Sequence, residues 1–158
     1  MTIKKSILIP ASKESVWNVL LDEPYNREWY AVFGKKSPRK IHLAQGQKVI
    51  FTDSRKNGVT GKVAAKTPYE VFSIVYDGVL VNGREDRESE LAATVKGAEE
   101  TYALEEFGDQ TLLTIVCDMH EERYDSMDQA WDVALQRISE LANACKKKSE
   151  NGKNDFES

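Results

Sequence analysis

The segment SMDQAWDVALQRISELANACKKK, Ser126 to Lys148, determines how the rest of the chain is interpreted. Its apolar residues recur every three or four positions and fall within an arc of roughly 140° on a helix. Ser126 and Gln129 fit a capping box at its start, and lysines follow at its end, where the helix dipole favours positive charge. We therefore predict an amphipathic helix of about 33 Å. A helix of this kind needs a broad apolar partner surface.

The partner surface is predicted to be a sheet, because the residues before this helix read mainly as strands with alternating polarity. The pair Asn57-Gly58 is the strongest hairpin signal, since these residues accept the positive φ angles of a type I′ turn. The predicted strands are Thr2 to Ile9, Ser37 to Leu43, Gln47 to Arg55, Val59 to Lys66, Tyr69 to Tyr76, a segment around Tyr102 and Leu104, and Thr111 to His120.

Two short helices are predicted directly after the first strand. Ser12 can cap a helix that runs to Leu21, and Pro24 can start a second helix through Trp29. The charged connection Asn82 to Glu100, with a helical turn or two around Glu85 to Ala93, is a candidate lid or mobile segment.

Strands in sequence with helices at the ends of the chain predict an α+β architecture. In it, a curved antiparallel sheet of six to seven strands wraps around the C-terminal helix. We expect one domain, residues 1–148, and a polar tail, residues 149–158, that is disordered.

Composition limits the classes of partner. The chain has 158 residues, of which 41% are hydrophobic and 30% charged, and its net charge is −4. An acidic chain is not expected to bind nucleic acid or an anionic membrane by electrostatics. No apolar run approaches the ~20 residues of a membrane span, and no signal-peptide pattern is present. We expect a cytoplasmic protein in which Cys117 and Cys145 are reduced thiols.

Several short motifs occur in an order that resembles a known superfamily. They are Ile9-Pro10-Ala11-Ser12 before Val16-Trp17, Asp22-Glu23-Pro24 before Trp29, Gly61-Lys62-Val63 before Pro68, Thr111-Leu112-Leu113-Thr114, and the last helix with Trp131, Leu135 and Leu141. Together they resemble the START or birch-pollen-allergen-like superfamily, also called SRPBCC, in its branch related to the activator of the heat shock protein 90 ATPase. The resemblance implies a helix-grip fold. It leaves function open, because that superfamily hosts binders, lipid carriers, cyclases and hydroxylase modules.

A ligand cavity is predicted between the sheet and the last helix, because a curved sheet and a straight helix cannot touch everywhere. Trp131 and Leu135 would form its roof. Tyr76 and Tyr102 would be its polar anchors, since a buried phenol needs a hydrogen-bond partner. The competing interpretation is a solidly filled core. The predicted lining residues are Trp29, Phe51, Phe72, Ile74, Tyr76, Tyr102, Leu104, Ile115, Cys117, Met119, Trp131 and Leu135.

Catalytic, metal and cofactor motifs do not support a specific chemistry. No nucleophile triad, zinc spacing or phosphate loop occurs, so no catalytic residue, metal ligand or cofactor is predicted. The acidic pairs Glu99-Glu100, Glu105-Glu106 and Glu121-Glu122 are interpreted as solvated surface charge. An inward Glu106 could act as a lone general base if burial raised its pKa.

Our first hypothesis is non-catalytic binding of a small apolar or amphipathic molecule in the predicted cavity. Two alternatives stay open. One is a protein-interaction module like the chaperone ATPase activator, with a chaperone as partner. The other is an enzyme of the cyclase or hydrolase type within the same superfamily.

Overall fold

The computed structural model describes residues 1–22, 24–33, 37–38 and 44–157, with the backbone alone for 37–38 and 146–157. The strands are β1 (Thr2–Ile9), β2 (Ser37–Pro38), β3 (Lys48–Thr52), β4 (Gly58–Thr67), β5 (Val71–Val81), β6 (Arg84–Asp86), β7 (Glu99–Phe107) and β8 (Gln110–Asp118). The helices are α1 (Lys13–Leu21), α2 (Tyr25–Tyr30), α3 (Glu90–Ala93) and α4 (Tyr124–Glu157), with short 3₁₀ helices at Ala31–Phe33 and Glu121–Arg123.

The strands of the described residues form one antiparallel sheet in the order β1-β8-β7-β5-β4-β3-β2, and β6 pairs with β5. The first strand thus lies beside the last along one edge of the sheet. The predicted α+β helix-grip architecture is confirmed. Of the strand predicted at Ser37 to Leu43, residues 39–43 lie outside the described part of the chain. No helix among the described residues is long and apolar enough to cross a membrane.

Helix α4 confirms the predicted amphipathic helix, although its start is different. The helix begins at Tyr124, and Ser126 Oγ donates to the Arg123 carbonyl at 3.1 Å, so Ser126 is not the cap. The 3₁₀ helix Glu121–Arg123 leads directly into α4, and the His120 side chain caps that 3₁₀ helix by accepting a hydrogen bond from the Glu122 amide. The backbone is helical through Glu157, and the disorder predicted for residues 149–158 stays a prediction. The fully covered residues of α4 are Trp131, Ala134, Leu135, Ile138 and Ala142.

Helices α1 and α2 form as predicted and lie beside α4. Ser12 caps α1 by accepting from the Ser15 amide at 3.2 Å. Two side chains of the α2 region then donate to carbonyls near the end of α1: Asn26 Nδ2 to Leu20 at 2.8 Å and Trp29 Nε1 to Val19 at 2.9 Å. Helix ends leave carbonyls without partners, so these two bonds stabilise the corner. They hold α2 in place against the core.

The turn between β3 and β4 is not the predicted type I′ turn at Asn57-Gly58. The residue with positive φ is Lys56, at 62°, and the Asp53 carboxylate accepts from the Arg55 and Asn57 amides at 2.9 Å each. Gly58 belongs to β4, where a Cβ atom would lie 1.7 Å from the Phe51 carbonyl oxygen. This glycine is therefore required for close strand approach and not for turn conformation.

The connection from Asn82 to Glu100 contains more regular structure than predicted. Asn82 and Gly83, with φ of 51° and 82°, form the tight turn between β5 and β6. Helix α3 follows, and the Tyr76 amide donates to the Ala98 carbonyl at 2.9 Å. The mobility predicted for this connection stays a prediction.

Candidate functional site

The twelve predicted lining residues lie in one region of the interior. Nine of them belong to the buried core, namely Trp29, Phe51, Phe72, Ile74, Tyr102, Leu104, Ile115, Trp131 and Leu135. Tyr76 and Met119 are partly buried against that core, and Cys117 is buried. Trp29 is only 2% exposed. Their role as ligand contacts stays a prediction.

Aromatic rings form a connected network through this interior, with centroids 4.8 to 6.3 Å apart. Tilted and edge-on contacts predominate, which are the geometries that aromatic quadrupoles favour. The rings come from α2, the 3₁₀ helix after it, three strands and α4, so the network joins helices to sheet. Its members are Trp29, Tyr30, Phe33, Phe51, Phe72, Tyr76, Tyr102 and Trp131.

A carboxylate lies within this aromatic interior. Glu100, on β7, is only 5% exposed, so its prediction as solvated surface charge was wrong. Its cross-strand partners are Ile74 and Cys117. Tyr76 Oη donates to Glu100 Oε2 at 3.1 Å, and Cys117 Sγ donates to Oε1 at 3.8 Å. The Tyr102 side chain also acts on this carboxyl group and lowers its pKa.

The Glu100 side chain points into the core because of its position in the alternating pattern of β7. Tyr102 and Leu104 point into the core, and side chains two residues apart share a face of a strand. The same alternation places Glu100 inward. Glu106 is also in this phase, but it is exposed near the end of the strand, so it is not a buried general base.

Burial controls the electrostatics of the cluster. It raises the pKa of Glu100, and hydrogen bonds from Tyr102, Tyr76 and Cys117 offset only part of that effect. Burial, together with the nearby Glu100, also raises the pKa values of Tyr30, Tyr76 and Tyr102 well above their usual range. No lysine or arginine of the described residues forms a salt bridge with Glu100.

The thiol of Cys117 is similarly affected. Burial and then the Glu100 charge raise its pKa above the range in which a thiolate would form in water at neutral pH. Both cysteines are free, and Cys117 is a hydrogen-bond donor to Glu100 in this arrangement. Cys117 is therefore a neutral hydrogen-bond donor to Glu100 and not an activated nucleophile.

An internal void of about 20 Å³ adjoins the carboxylate. That volume is about what one water molecule needs. The void is lined by Leu20, Leu21, Asn26, Trp29, Tyr30, Val49, Phe51, Phe72, Ile74, Glu100 and Tyr102. Five predicted residues reach it: Trp29, Phe51, Phe72, Ile74 and Tyr102. Glu100 and Tyr30 were missed, and the strand phase was the available signal for Glu100.

One buried donor of this region lacks an acceptor. Trp131 is 1% exposed, and its Nε1 has no hydrogen-bond partner within the described residues. The sulfur of Cys117 lies nearby, but thiol sulfur is a weak acceptor. A buried unpaired N–H costs about 1–3 kcal/mol, so an oxygen atom brought beside it would stabilise the site.

Known proteins match this chain at the level of structure. No family model and no curated protein matches it. Among solved structures, protein MLL2253 from Mesorhizobium loti has a TM-score of 0.71 at 14% identity, with 91% of this chain and 98% of that chain covered. The Aha1 dimer from Colwellia psychrerythraea has a TM-score of 0.67 at 17% identity, with 90% and 96% covered.

A third similar structure is the AHSA1-like protein from Aeromonas hydrophila. Its TM-score is 0.61 at 17% identity, and the match covers 91% of this chain and 94% of that chain. Identities this low show a shared fold and leave activity open. The chain has the helix-grip fold, and its structural neighbours include Aha1 and AHSA1-like proteins, in agreement with the branch that its sequence motifs resemble.

Proposed function

We propose that this protein binds a small, partly apolar molecule between its sheet and α4, without catalysing a reaction. The observation that carries the proposal is the buried carboxylate of Glu100 among aromatic rings, beside a void. A buried ionisable group without a charged partner is costly to a fold, and such groups concentrate at functional sites. The unpaired Nε1 of Trp131 supports the same region independently.

A bound molecule larger than water requires the aromatic rings around the void to separate. Tyr30 and Phe33 are the ring residues best suited to move, because they are only partly buried and lie in the short α2 region rather than in the sheet. Displacing these two rings would open a path to Glu100 while leaving the strands in place.

Binding is favoured over catalysis by the chemistry of the neighbours. General acid–base catalysis works best with a pKa near the operating pH. The raised pKa values of Tyr76, Tyr102 and Cys117 leave them protonated at neutral pH, so Glu100 is the single candidate base of the cluster.

The indole N–H resonances of the three tryptophans test this proposal in a two-dimensional NMR titration. Suitable probes are indole, 2-naphthol and decanoic acid. We expect the Trp131 resonance to shift on saturation, because its Nε1 is unpaired inside the site. Trp17 is the internal reference, since it packs against Tyr69 outside the aromatic network.

The Trp131 resonance is assigned with Trp131→Phe. An unchanged Trp131 signal across all three probes would contradict the proposal, as would equal shifts at Trp17 and Trp131. Location in the cytoplasm and the single-domain organisation stay predictions of the sequence.

A further inference from the structure

The hydrogen-bonding groups around Glu100 leave its negative charge without a counter-charge. The groups that face it are Tyr76 on β5, Tyr102 on β7, Cys117 on β8 and Tyr30 on α2. All of these are neutral, and the next acidic side chain, Asp118, acts on Cys117 with the same sign as Glu100. An ionised Glu100 is therefore solvated by neutral donors alone within the described residues.

The void beside this carboxylate has walls of aromatic rings. Trp29, Tyr30, Phe51 and Tyr102 line it together with Glu100. Faces of Trp and Tyr attract cations through the ring quadrupole, and the attraction grows when water is excluded. A carboxylate and aromatic rings around one water-sized space are the two components of an ammonium site.

We propose that the site selects ligands that carry a primary ammonium group, which occupies the void beside Glu100. This rests on the proposed small-molecule binding and names its ligand class. A primary ammonium is close to water in size and donates three hydrogen bonds, so it suits a void of about 20 Å³. A larger head group does not fit that space, and an anion would lie against the Glu100 charge.

Ion pairing would also link binding to protonation. Burial favours the neutral form of Glu100 in the free protein, whereas the bound cation favours the ionised form. Binding then releases a proton at any pH below the raised pKa of Glu100. Affinity for the amine should rise up to about tenfold per pH unit in that range and level off above it.

The experiment compares three molecules that differ only in the head group: 2-phenylethylamine, 2-phenylethanol and phenylacetate. Each is titrated by calorimetry from about pH 5 to about pH 8, where an alkylamine stays protonated. We expect the amine to bind at least about tenfold more tightly than the alcohol at the upper end, and phenylacetate to bind most weakly. Repeating the titration in buffers of different ionisation enthalpy measures the released proton.

Two matched variants distinguish the effect of the Glu100 charge from the effect of a negative charge elsewhere on the protein. Glu100→Gln removes the charge and should reduce the amine to the affinity of the alcohol, with no pH dependence. Glu106→Gln makes the same change at an exposed position of the same strand and should leave the preference intact. If Glu100→Gln does not fold, the pH profile and the proton release of the unaltered protein still test whether the amine pairs with Glu100.

Failure of this inference is distinguishable from failure of the proposed function. If the alcohol binds as tightly as the amine and shifts the Trp131 resonance, the binding function is retained and the ammonium preference is overturned. A preference that survives Glu100→Gln would also overturn it. Absence of binding for all three molecules would count against both.

Discussion

The free energy of unfolding should depend on pH through Glu100, and Glu100→Gln should remove that dependence. Burial raises the pKa of this group, so the folded chain keeps the proton to a higher pH than the unfolded chain does. A glutamate in an unfolded chain titrates near about pH 4.3. The stability linked to this proton is complete below about pH 4.3 and is lost as the pH rises through the raised pKa.

The magnitude follows from the size of the pKa difference. Each unit by which burial raises the pKa costs the folded state about 1.4 kcal/mol once the pH exceeds the raised value. Gln has nearly the same shape and does not titrate, and its side-chain oxygen can still accept from Tyr76 Oη, which lies 3.1 Å from the carboxylate in the unaltered protein. The variant should therefore gain stability relative to the unaltered protein as the pH rises.

Glu100→Leu provides the opposite control. It also removes the charge, but it leaves Tyr76 Oη without its acceptor, whereas Cys117 keeps the Asp118 carbonyl at 3.7 Å. Each unpaired buried donor costs about 1–3 kcal/mol, so the Leu variant should be less stable than the Gln variant at every pH.

Urea unfolding followed by tryptophan emission, from about pH 4 to about pH 8, measures the difference directly. Other titrating groups contribute equally to the free energy of unfolding of the unaltered protein and of its Gln variant, so their contributions cancel in the difference. Glu106→Gln, exposed on the same strand, should stay within about 0.5 kcal/mol of the unaltered protein. A stability gap between the unaltered protein and its Glu100→Gln variant that stays constant with pH, or a Gln variant that loses stability relative to the unaltered protein as the pH rises, would refute the reasoning.

Three further substitutions test the architecture by urea unfolding. Trp131→Ala should lower the free energy of unfolding by about 3–5 kcal/mol. Trp131→Phe keeps a ring and removes the unpaired N–H, so its loss should be less than half as large. A loss for the Ala variant below about 1 kcal/mol would place this side chain outside the core. Thr111→Val should cost about 1–3 kcal/mol, because Thr111 Oγ1 donates to the buried Ala11 carbonyl at 2.7 Å, and Thr111→Ser should restore most of it; equal losses for Val and Ser would rule out the hydrogen bond as the cause. Gly58→Ala should cost at least about 1–3 kcal/mol, because its Cβ would lie 1.7 Å from the Phe51 carbonyl oxygen, and a neutral effect would show that β3 and β4 separate freely.

The helix at the end of the chain was predictable because its signal is long and local. Apolar residues from Met127 to Cys145 repeat with the helical period, so no distant contact is needed to recognise them. Its first turn was misplaced by two residues, since a 3₁₀ helix capped by His120 leads directly into it. Helix ends are set by such single contacts, which sequence patterns do not specify uniquely.

The main error at the site concerned Glu100. Its neighbours Tyr102 and Leu104 had already indicated which face of the strand is inward, and extending that phase by two residues places Glu100 in the core. Residue type outweighed position in the prediction, because glutamate is rarely buried without a partner. The partners that make burial tolerable, Tyr76 and Cys117, come from other strands.

By itself, then, the sequence determined the order of elements, the amphipathic last helix and the apolar faces of the strands, because these follow from spacing along the chain. Only the tertiary structure decided how the interior is filled. It brings three phenols and a thiol from four elements around one carboxylate and leaves a void of about 20 Å³ beside it. The physical reason is that hydrogen bonding, desolvation and free volume depend on distances between residues far apart in sequence, and strand pairing and helix packing set those distances.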